Sequence, residues 1–353
     1  MQRKTLAALA AIPCALAPQV ADACGGLVGE NGTIQLVRTT TLAAYSNGVE
    51  RYVTAFQFTG EGESVGSIVP LPDVPTKVER GGDWTLQRLT QEVAPPEASA
   101  SGEADQTTAA SDVEIILETE IDALDITVLK GGGDEVGKWA IDNGFLLSPD
   151  APEVLDFYAE RSPYFLAARF DATAARDRGQ GVGQGTPVHL TIPTDEPWVP
   201  LRILGLGLDA DQQVEADVFL LTDERPQLLA GGDGLELNRS EAAGESLLTD
   251  LRSDTGMGWI PKDMWFTHLP LEASAGDLDY DLAVSTDADR APAVADAGIS
   301  GRDAVPIGER RGGVPWWPVV LGVLAAALVA AGIVVVRTMT AAPVVVSGSG
   351  KTP

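Results

Sequence analysis

The sequence predicts an α+β protein: a largely antiparallel β-sheet ectodomain with a few short helices, followed by one C-terminal transmembrane helix. Three observations lead to this prediction. Extended runs outnumber helical runs along the body of the chain, the first residues have the pattern of a secretory signal, and a long apolar run lies near the other end. Strands mixed with a few short helices, rather than alternating regularly with them, favour an antiparallel sheet.

The N-terminus has the three parts of a secretory signal peptide. An Arg-Lys pair supplies positive charge, Thr5–Ala17 is apolar, and Ala21 and Ala23 occupy the small-residue positions of a cleavage site. We expect cleavage after Ala23. Residues 1–23 are then the signal peptide, and Cys24 is the first residue of the exported chain.

The first strands form a predicted hairpin. Thr33–Tyr45 and Arg51–Phe58 are rich in β-branched and aromatic residues, and they flank Ser46-Asn47-Gly48. An Asn-Gly pair suits the positive φ angles of a tight hairpin turn. Further extended runs predict strands at Ser64–Pro72, Val113–Ile121, Leu124–Lys130, Tyr164–Phe170, Pro187–Ile192, Val199–Gly207, Gln213–Thr222 and Met264–Leu271.

Apolar residues at helical spacing predict four short helices. In Asp83–Val93, the first residue is the expected N-cap, and Leu86, Leu89 and Val93 are the expected buried face. In Asp134–Gly144, Asp134 is the expected cap and Asn143-Gly144 the expected end. In that second helix the expected buried residues are Val136, Trp139 and Ala140. The third helix is predicted at Pro152–Arg161, with Val154, Leu155 and Tyr158 buried, and the fourth at Ser240–Arg252.

The apolar run near the C-terminus predicts a membrane span. Val319–Val336 has no charged residue and, at the rise of an α-helix, is about 27 Å long, enough for the hydrocarbon core of a bilayer. Trp316 and Trp317 stand at its outer edge and Arg337 at its inner edge. With a cleaved signal, this predicts a single-pass protein of the cell membrane, with the N-terminal domain outside and a cytoplasmic tail. The lipid bilayer is therefore one expected partner.

The expected organisation places residues 24–284 in the extracytoplasmic domain. Residues 94–112 are rich in Pro, Ser, Ala and acidic residues and form a predicted flexible insertion. Residues 285–315 have a similar composition and form a predicted stalk. The transmembrane helix occupies residues 316–337 and the short tail residues 338–353.

The net charge limits the possible partners. The chain has 51 acidic and 24 basic residues, a formal net charge of −27. Phosphate-rich partners are repelled by such a surface, so we expect no binding to nucleic acid. Solubility in a salty exterior, cation binding or a basic partner is more compatible with this charge.

The sequence offers few residues for catalysis, and we predict no catalytic or cofactor-binding residue and no cofactor. His189 alternates with Thr191 in an extended run and is expected to be a surface or hydrogen-bonded histidine. His268 follows an apolar run, where partial burial is expected. The glycine-rich run at 179–185 lacks the strand, helix and lysine of a phosphate-binding loop. We interpret it as a connection between strands.

Metal binding has one weak candidate. Asp277, Asp279 and Asp281 alternate, so that on a strand they would share a face where calcium could bind. The residues at the sixth and twelfth positions, Leu282 and Ala288, exclude an EF-hand. We predict no metal site beyond this candidate.

Cys24 has several possible roles. The residues before it, Ala21 and Asp22, match a lipidation signal poorly, and Cys14 is lost with the signal, so no partner remains for an intramolecular disulfide. No histidine is tied to it by a motif that would indicate a catalytic thiol. A free cysteine or one in an intermolecular disulfide remains.

Four segments occur in a characteristic order: Cys24-Gly25, Val69–Pro72, the helix end at Trp139–Gly144, and Tyr164–Ala168. Together they resemble the domain of unknown function 2330 family of exported bacterial proteins. The resemblance extends from Cys24 to about Gly207 and implies no known activity, cofactor or catalytic residue. The abundance of Ala, Asp, Gly and Val, with few Lys, indicates an actinobacterial source.

Three functions follow as hypotheses from the sequence. The first is a binding or interaction module at the bacterial cell surface, whose partner is an envelope protein or a ligand. The second is a structural component of the envelope. The third is an extracytoplasmic hydrolase that uses a pair of carboxylates.

Overall fold

The computed structural model describes residues 26–29, 35–59, 64–94, 114–171, 186–195, 197–287, 290–299 and 307. All of them belong to the first of two compact units, Met1–Glu309. The signal peptide with Ala21, Ala23 and Cys24, the insertion from residue 95, the glycine-rich run and the membrane segment with Trp316, Trp317 and Arg337 lie outside the described residues.

The described chain contains fifteen strands and four α-helices. The strands are β1 (Gly26–Gly29), β2 (Gln35–Ser46), β3 (Val49–Thr59), β4 (Ser64–Leu71), β5 (Lys77–Arg80), β6 (Glu114–Ile121), β7 (Leu124–Lys130), β8 (Tyr164–Asp171), β9 (Val188–Pro193), β10 (Trp198–Val199), β11 (Gln213–Thr222), β12 (Gln227–Leu229), β13 (Arg239–Ala242), β14 (Trp265–Ser274) and β15 (Leu282–Ser285). The helices are α1 (Thr85–Val93), α2 (Gly133–Asp142), α3 (Ala151–Ala159) and α4 (Glu245–Ser253).

The strands form three sheets. The largest has seven strands in the order β13-β14-β11-β2-β3-β9-β5, and the second has five in the order β1-β4-β8-β7-β6. A small third sheet has the order β10-β15-β12. Every pairing is antiparallel except that between β11 and β2. The prediction of a largely antiparallel α+β fold is therefore confirmed for the described part of the chain.

The predicted hairpin is present and begins the largest sheet. β2 and β3 are joined at Asn47 and Gly48, whose φ angles are 54° and 74°. Positive φ at both central residues is the condition for the turn that matches the twist of the two strands. The Asn-Gly signal in the sequence therefore located this turn correctly.

Each face of the largest sheet has its own core. On one face, residues of β2, β3, β11 and β14 pack with Leu86 and Leu89 of α1 and with three leucines of α4. Residues of the opposite face join one continuous cluster with the five-stranded sheet, α2 and α3. The predicted buried faces of α1, α2 and α3 are confirmed, because the aliphatic and aromatic residues named for them lie in these cores.

The expected capping of α1 is wrong. Its N-cap residue is Trp84, and no side chain of its own segment caps the helix. Asp254, far along the chain, instead accepts hydrogen bonds from the backbone N–H groups of Asp83 and Trp84, at 3.0 Å each. Asp83 forms an ion pair with Arg80. A cap supplied through tertiary contact leaves no local signal in the sequence.

The capping of α2 also differs from the prediction. Gly132 is the N-cap residue, and Asp134 lies within the first turn. The Glu135 carboxylate accepts a hydrogen bond from the Gly132 N–H at 2.5 Å. The predicted helix end is confirmed: the side chain of Asn143 donates to the Trp139 carbonyl at 2.9 Å, and Gly144 has a φ of 88°.

One predicted element is wrong in type, and one predicted helix begins later than expected. Of the expected strand at 199–207 only Val199 is extended, as the last residue of β10, and Arg202–Gly205 forms a 3₁₀ helix. The first residues of the expected helix at 240–252 form β13 at the edge of the largest sheet, so that α4 begins at Glu245. In both segments the spacing of apolar and polar residues is compatible with either a helix or a strand. Contacts with distant parts of the chain determine which of the two forms.

The folded domain extends beyond the expected boundary at residue 284. Val294–Ala297 forms a 3₁₀ helix inside the expected stalk, and Ala297 is fully buried. The carbonyl of Ala297 accepts a hydrogen bond from the N–H of Asp281 at 2.9 Å. Ile299 packs against the core as well. Within the described residues, no helix combines the length and the apolar composition that a membrane crossing needs.

Candidate functional site

A groove lies over one edge of the largest sheet, where three neighbouring strands bring two rows of side chains together. In the first row Arg51 of β3 faces Thr191 of β9, which faces Lys77 of β5. In the second row Val53 faces His189, and His189 faces Glu79. Cross-strand partners point to the same face of a sheet, so both rows lie on the face that carries α1 and α4.

The segment after α4 forms the other wall of the groove. Asp254 holds the start of this segment, because it accepts hydrogen bonds from Thr255 N–H at 2.8 Å and from the Thr85 hydroxyl at 2.7 Å. Gly256 follows with a φ of 76°, a conformation that glycine adopts without strain. The chain then places Gly258 and Trp259 opposite the strands. The groove has a volume of about 630 Å³ and is open to solvent.

The charged groups of the groove are not equally neutralised. Lys77 and Glu79, two residues apart on β5, form an ion pair at 2.5 Å. Arg51 donates a hydrogen bond to the hydroxyl of Thr191 at 3.2 Å, and its guanidinium carbon lies 4.9 Å from the centre of the Trp259 ring. Burial lowers the pKa of Arg51, and the Glu79 carboxylate opposes this shift. A guanidinium remains charged at any physiological pH.

His189 lies beneath the groove and is fully buried. Its ring stacks on Trp259, with 5.4 Å between the ring centres, and its Nδ1 is 3.4 Å from a carboxylate oxygen of Glu79. Neither ring nitrogen makes a hydrogen bond with another described residue. Burial lowers the pKa of His189 to about 4, against a smaller opposing effect of Glu79. The imidazole is therefore neutral at pH 7. The prediction that it shares a face with Thr191 is confirmed, whereas a surface or hydrogen-bonded position is wrong.

His268 lies in the core on the same face of the sheet. Its Nε2 is 2.9 Å from a carboxylate oxygen of Asp217, and its Nδ1 is 2.9 Å from the side-chain nitrogen of Asn238. With the amide donating to Nδ1, Nε2 carries the proton and donates to Asp217. The ring also stacks on Phe219 at 4.7 Å. His268 is 4% exposed, so it is more deeply buried than the partial burial that the sequence predicted.

The three aspartates proposed as weak calcium candidates do not share a strand face. Asp277 ends a 3₁₀ helix, and β15 begins only at Leu282, after Asp279 and Asp281. The Asp281 side chain is fully buried and accepts hydrogen bonds from the Tyr158 hydroxyl at 2.8 Å and from backbone N–H groups. The described residues contain no group of three or more metal-binding side chains.

Asp281 instead joins separate parts of the fold. Arg161, which follows α3, forms an ion pair with Asp281 and donates a hydrogen bond to the carbonyl of Asp296 at 3.1 Å. Its guanidinium carbon also lies 4.6 Å from the ring centre of Trp198. This cluster links α3, β10, β15 and the last 3₁₀ helix. Its role is structural, because the carboxylate is enclosed by groups of the protein itself.

Glu50 is buried on the opposite face of the sheet from Arg51. Its neighbours across the strands are Tyr45 and Ile192, and among the described residues neither carboxyl oxygen has a hydrogen-bond partner. Burial raises the pKa of Glu50 to about 8. A carboxyl group that cannot be hydrated is more stable in its protonated, neutral form. Glu50 is therefore mostly uncharged at pH 7.

The groove was not predictable from the sequence. Arg51 and Trp259 are separated by most of the ectodomain and belong to no common motif. One signal was present: Lys77 with Glu79, and His189 with Thr191, lie in short alternating runs where polar residues occupy one face. Strand order, which the sequence leaves open, was needed to make these runs neighbours.

The solved structures give only distant similarities. The crystal structure of a mutated baculovirus P35 after caspase cleavage covers 70% of this chain and 99% of its own, with 10% identity and a TM-score of 0.35. The crystal structure of baculovirus P35 covers 72% and 97%, with 10% identity and a TM-score of 0.33. TM-scores of this size carry no conclusion about fold or function. No curated protein sequence matches the chain.

A family model provides the informative comparison. The model of an uncharacterised protein conserved in bacteria, DUF2330, matches residues 18–245. Within this range, Val69–Leu71 of β4 pairs directly with Tyr164–Leu166 of β8, so that two of the segments that carry the resemblance are neighbours in the five-stranded sheet. The chain therefore belongs to the DUF2330 family of proteins conserved in bacteria.

Proposed function

We propose that this protein is a binding module held at the cell membrane by its predicted C-terminal helix, and that the groove between Arg51 and Trp259 is its binding site. The observation that carries the proposal is the combination of an open groove with polar groups that the fold leaves unsatisfied. Buried polar groups are usually hydrogen-bonded, and exceptions are frequent at functional sites.

Binding fits the groove better than hydrolysis. Among the residues that line it, Glu79 alone has a carboxylate, and this carboxylate is paired with Lys77. Retaining and inverting glycosidases require two carboxyl groups on either side of the reacting bond. His189 is covered by Trp259 and Glu79, so it does not reach a molecule in the groove in this conformation.

The proposal is tested by capture of a ligand on the full-length protein in lipid nanodiscs. Immobilised protein is exposed to an extract of cell-envelope material, and the retained molecules are eluted and quantified by mass spectrometry. We expect at least one species to be enriched on the natural protein and reduced about tenfold or more on Trp259→Ala. Trp265→Ala is the control, because Trp265 is half-buried on β14, outside the groove lining.

The two variants separate loss of binding from loss of structure. Each variant is accepted only if its circular dichroism and thermal transition show a folded domain. Equal retention of every species by the natural protein and a folded Trp259→Ala variant contradicts the assignment of the groove as the binding site.

A further inference from the structure

The unsatisfied groups of the groove are mainly hydrogen-bond donors. Arg51 has one hydrogen bond, to Thr191, and no carboxylate lies within 4.0 Å of it among the described residues. A guanidinium has five N–H groups, so most of its donor capacity is unused. The indole Nε1–H of Trp259 is buried and has no hydrogen-bond partner in the part of the chain that the structure describes.

Among the described residues that line the groove, the one acceptor with a full charge is already paired. Glu79 is paired with Lys77, so these two charges offset each other. Arg51 then gives the groove a positive charge, on a chain whose formal net charge is −27. A ligand that supplies acceptors and one negative charge complements the groove. Arginine binds a planar carboxylate through two parallel hydrogen bonds, which fixes the orientation of the group.

The charge of the whole chain limits how negative the ligand can be. A polyanion is repelled by the strongly acidic surface around the groove, whereas a single carboxylate on an otherwise uncharged molecule is repelled much less. The stem of Arg51 and the Trp259 ring provide apolar surface beside the guanidinium, which suits the uncharged part of such a molecule.

We propose that the groove binds a small ligand through one carboxylate, which Arg51 holds, with the uncharged part of the ligand against Trp259. This inference rests on the proposed function and gives it a ligand class. Lys77 is not expected to bind the carboxylate of the ligand, because it is already paired with Glu79.

The experiment uses full-length protein labelled with 5-fluorotryptophan and studied by ¹⁹F NMR in detergent micelles. The chain has seven tryptophans, and the resonance of Trp259 is identified as the one that disappears in Trp259→Phe. The probes are N-acetylglycine and N-acetylphenylalanine, their uncharged amides, and inorganic phosphate, all at the same ionic strength. We expect both carboxylates to shift the Trp259 resonance saturably and the amides to cause a shift at least about tenfold weaker in apparent affinity.

Variants of arginine identify the group that binds the carboxylate. Arg51→Gln is expected to weaken carboxylate binding about tenfold or more, and Arg51→Lys is expected to restore part of it, because the charge returns without the planar pair of donors. Arg225→Gln removes the same charge from an exposed position outside the groove lining and is expected to leave binding unchanged.

Three results overturn the inference. Equal binding of acids and amides, with no effect of Arg51→Gln, shows that the groove does not require a carboxylate. This result contradicts the proposed ligand class but is compatible with the proposed function. Tighter binding of phosphate than of both carboxylates replaces the class with another oxyanion. No shift of the Trp259 resonance with any probe overturns the carboxylate assignment, and the capture experiment then decides separately whether the groove binds anything.

Discussion

His189 and His268, the two histidines of the chain, lie in one transverse row of the seven-stranded sheet and on the same face. Phe219, Leu42 and Val53 separate them, one residue on each intervening strand. At the usual spacing of strands the two rings are roughly 19 Å apart. One end of the row has a buried hydrogen-bonded histidine, and the other has a buried histidine without a hydrogen bond.

His189 predicts a loss of stability in mild acid. Its pKa is about 4 in the folded protein and near 6.5 in the unfolded chain. Below pH 6.5 the unfolded chain binds a proton that the folded protein does not, so the free energy of unfolding falls as the pH falls from 6.5 towards 4. Between pH 7 and pH 5 this loss amounts to about 2 kcal/mol.

The measurement compares the natural protein with His189→Leu, which has no titrating group at this position. Urea unfolding at pH 7 and pH 5 is expected to show a larger loss for the natural protein by about 2 kcal/mol. NMR of selectively labelled histidine provides a direct check, since the His189 ring must stay neutral at pH 5. Protonation of His189 with a midpoint near 6.5 contradicts the prediction.

Glu50 predicts the opposite pH dependence. Its pKa is raised to about 8 by burial, compared with about 4.3 in an unfolded chain. The unfolded chain loses its proton first, so the contribution of Glu50 to the free energy of unfolding is greatest below pH 4 and declines as the pH rises towards 8. Glu50→Met removes the titration and is expected to raise stability, relative to the natural protein, by about 3 kcal/mol more at pH 7.5 than at pH 5.

Chemical unfolding of both proteins across this pH range measures the effect. Glu118→Gln on β6 is the control, because it removes a carboxylate from an exposed position. A constant difference between Glu50→Met and the natural protein from pH 5 to pH 8 shows that Glu50 is ionised throughout and contradicts the prediction.

We expect the hydroxyl group of Tyr158 to contribute to the stability of the fold. The hydroxyl donates to Asp281 at 2.8 Å and accepts a hydrogen bond from the N–H of Ile203 at 2.9 Å. Tyr158→Phe leaves this buried N–H without its acceptor and removes one bond from the carboxylate. We expect a loss of about 2 kcal/mol in the free energy of unfolding. Tyr164→Phe is the matched control, because the hydroxyl of the half-buried Tyr164 makes no hydrogen bond with the described residues. Equal losses for the two variants contradict this account.

Asp254 and Asp83 give opposite predictions for the start of α1. Asp254→Ala removes the acceptor of three backbone N–H groups and of the Thr85 hydroxyl, and we expect it to lower the free energy of unfolding by about 2 kcal/mol or more. Asp83→Ala removes one half-exposed ion pair with Arg80 and is expected to cost less than about 1 kcal/mol. Thermal or urea unfolding of both variants distinguishes a distant cap from a local one; a larger loss for Asp83→Ala reverses the assignment.

The sequence was sufficient for elements whose signals are local. The turn at Asn47-Gly48 needs positive φ angles that few residues adopt, so its position could be predicted before any strand was paired. The end of α2 at Asn143-Gly144 has the same origin. The buried faces of the first three helices follow from apolar spacing. Local chemistry alone restricts these positions.

Predictions failed where a distant residue completes the interaction. Asp83 is a reasonable cap by sequence, but Asp254 supplies the acceptors. Arg239–Ala242 has the composition of a helix start, yet it pairs with β14 as an edge strand. Asp277, Asp279 and Asp281 alternate as on a strand, but the chain bends before β15 and buries the last carboxylate.

The sequence by itself determined the class of the fold, its hairpin turn, the end of α2 and the family, because these depend on residues that are neighbours in the chain. Only the tertiary structure decided the groove. Strand order β3-β9-β5 places Arg51, Thr191 and Lys77 in one row, and the segment after α4 brings Trp259 over His189. The physical reason is that the pairing of whole strands determines which residues are cross-strand neighbours. The energy of this pairing is distributed over many contacts, so no single segment of the sequence reveals it.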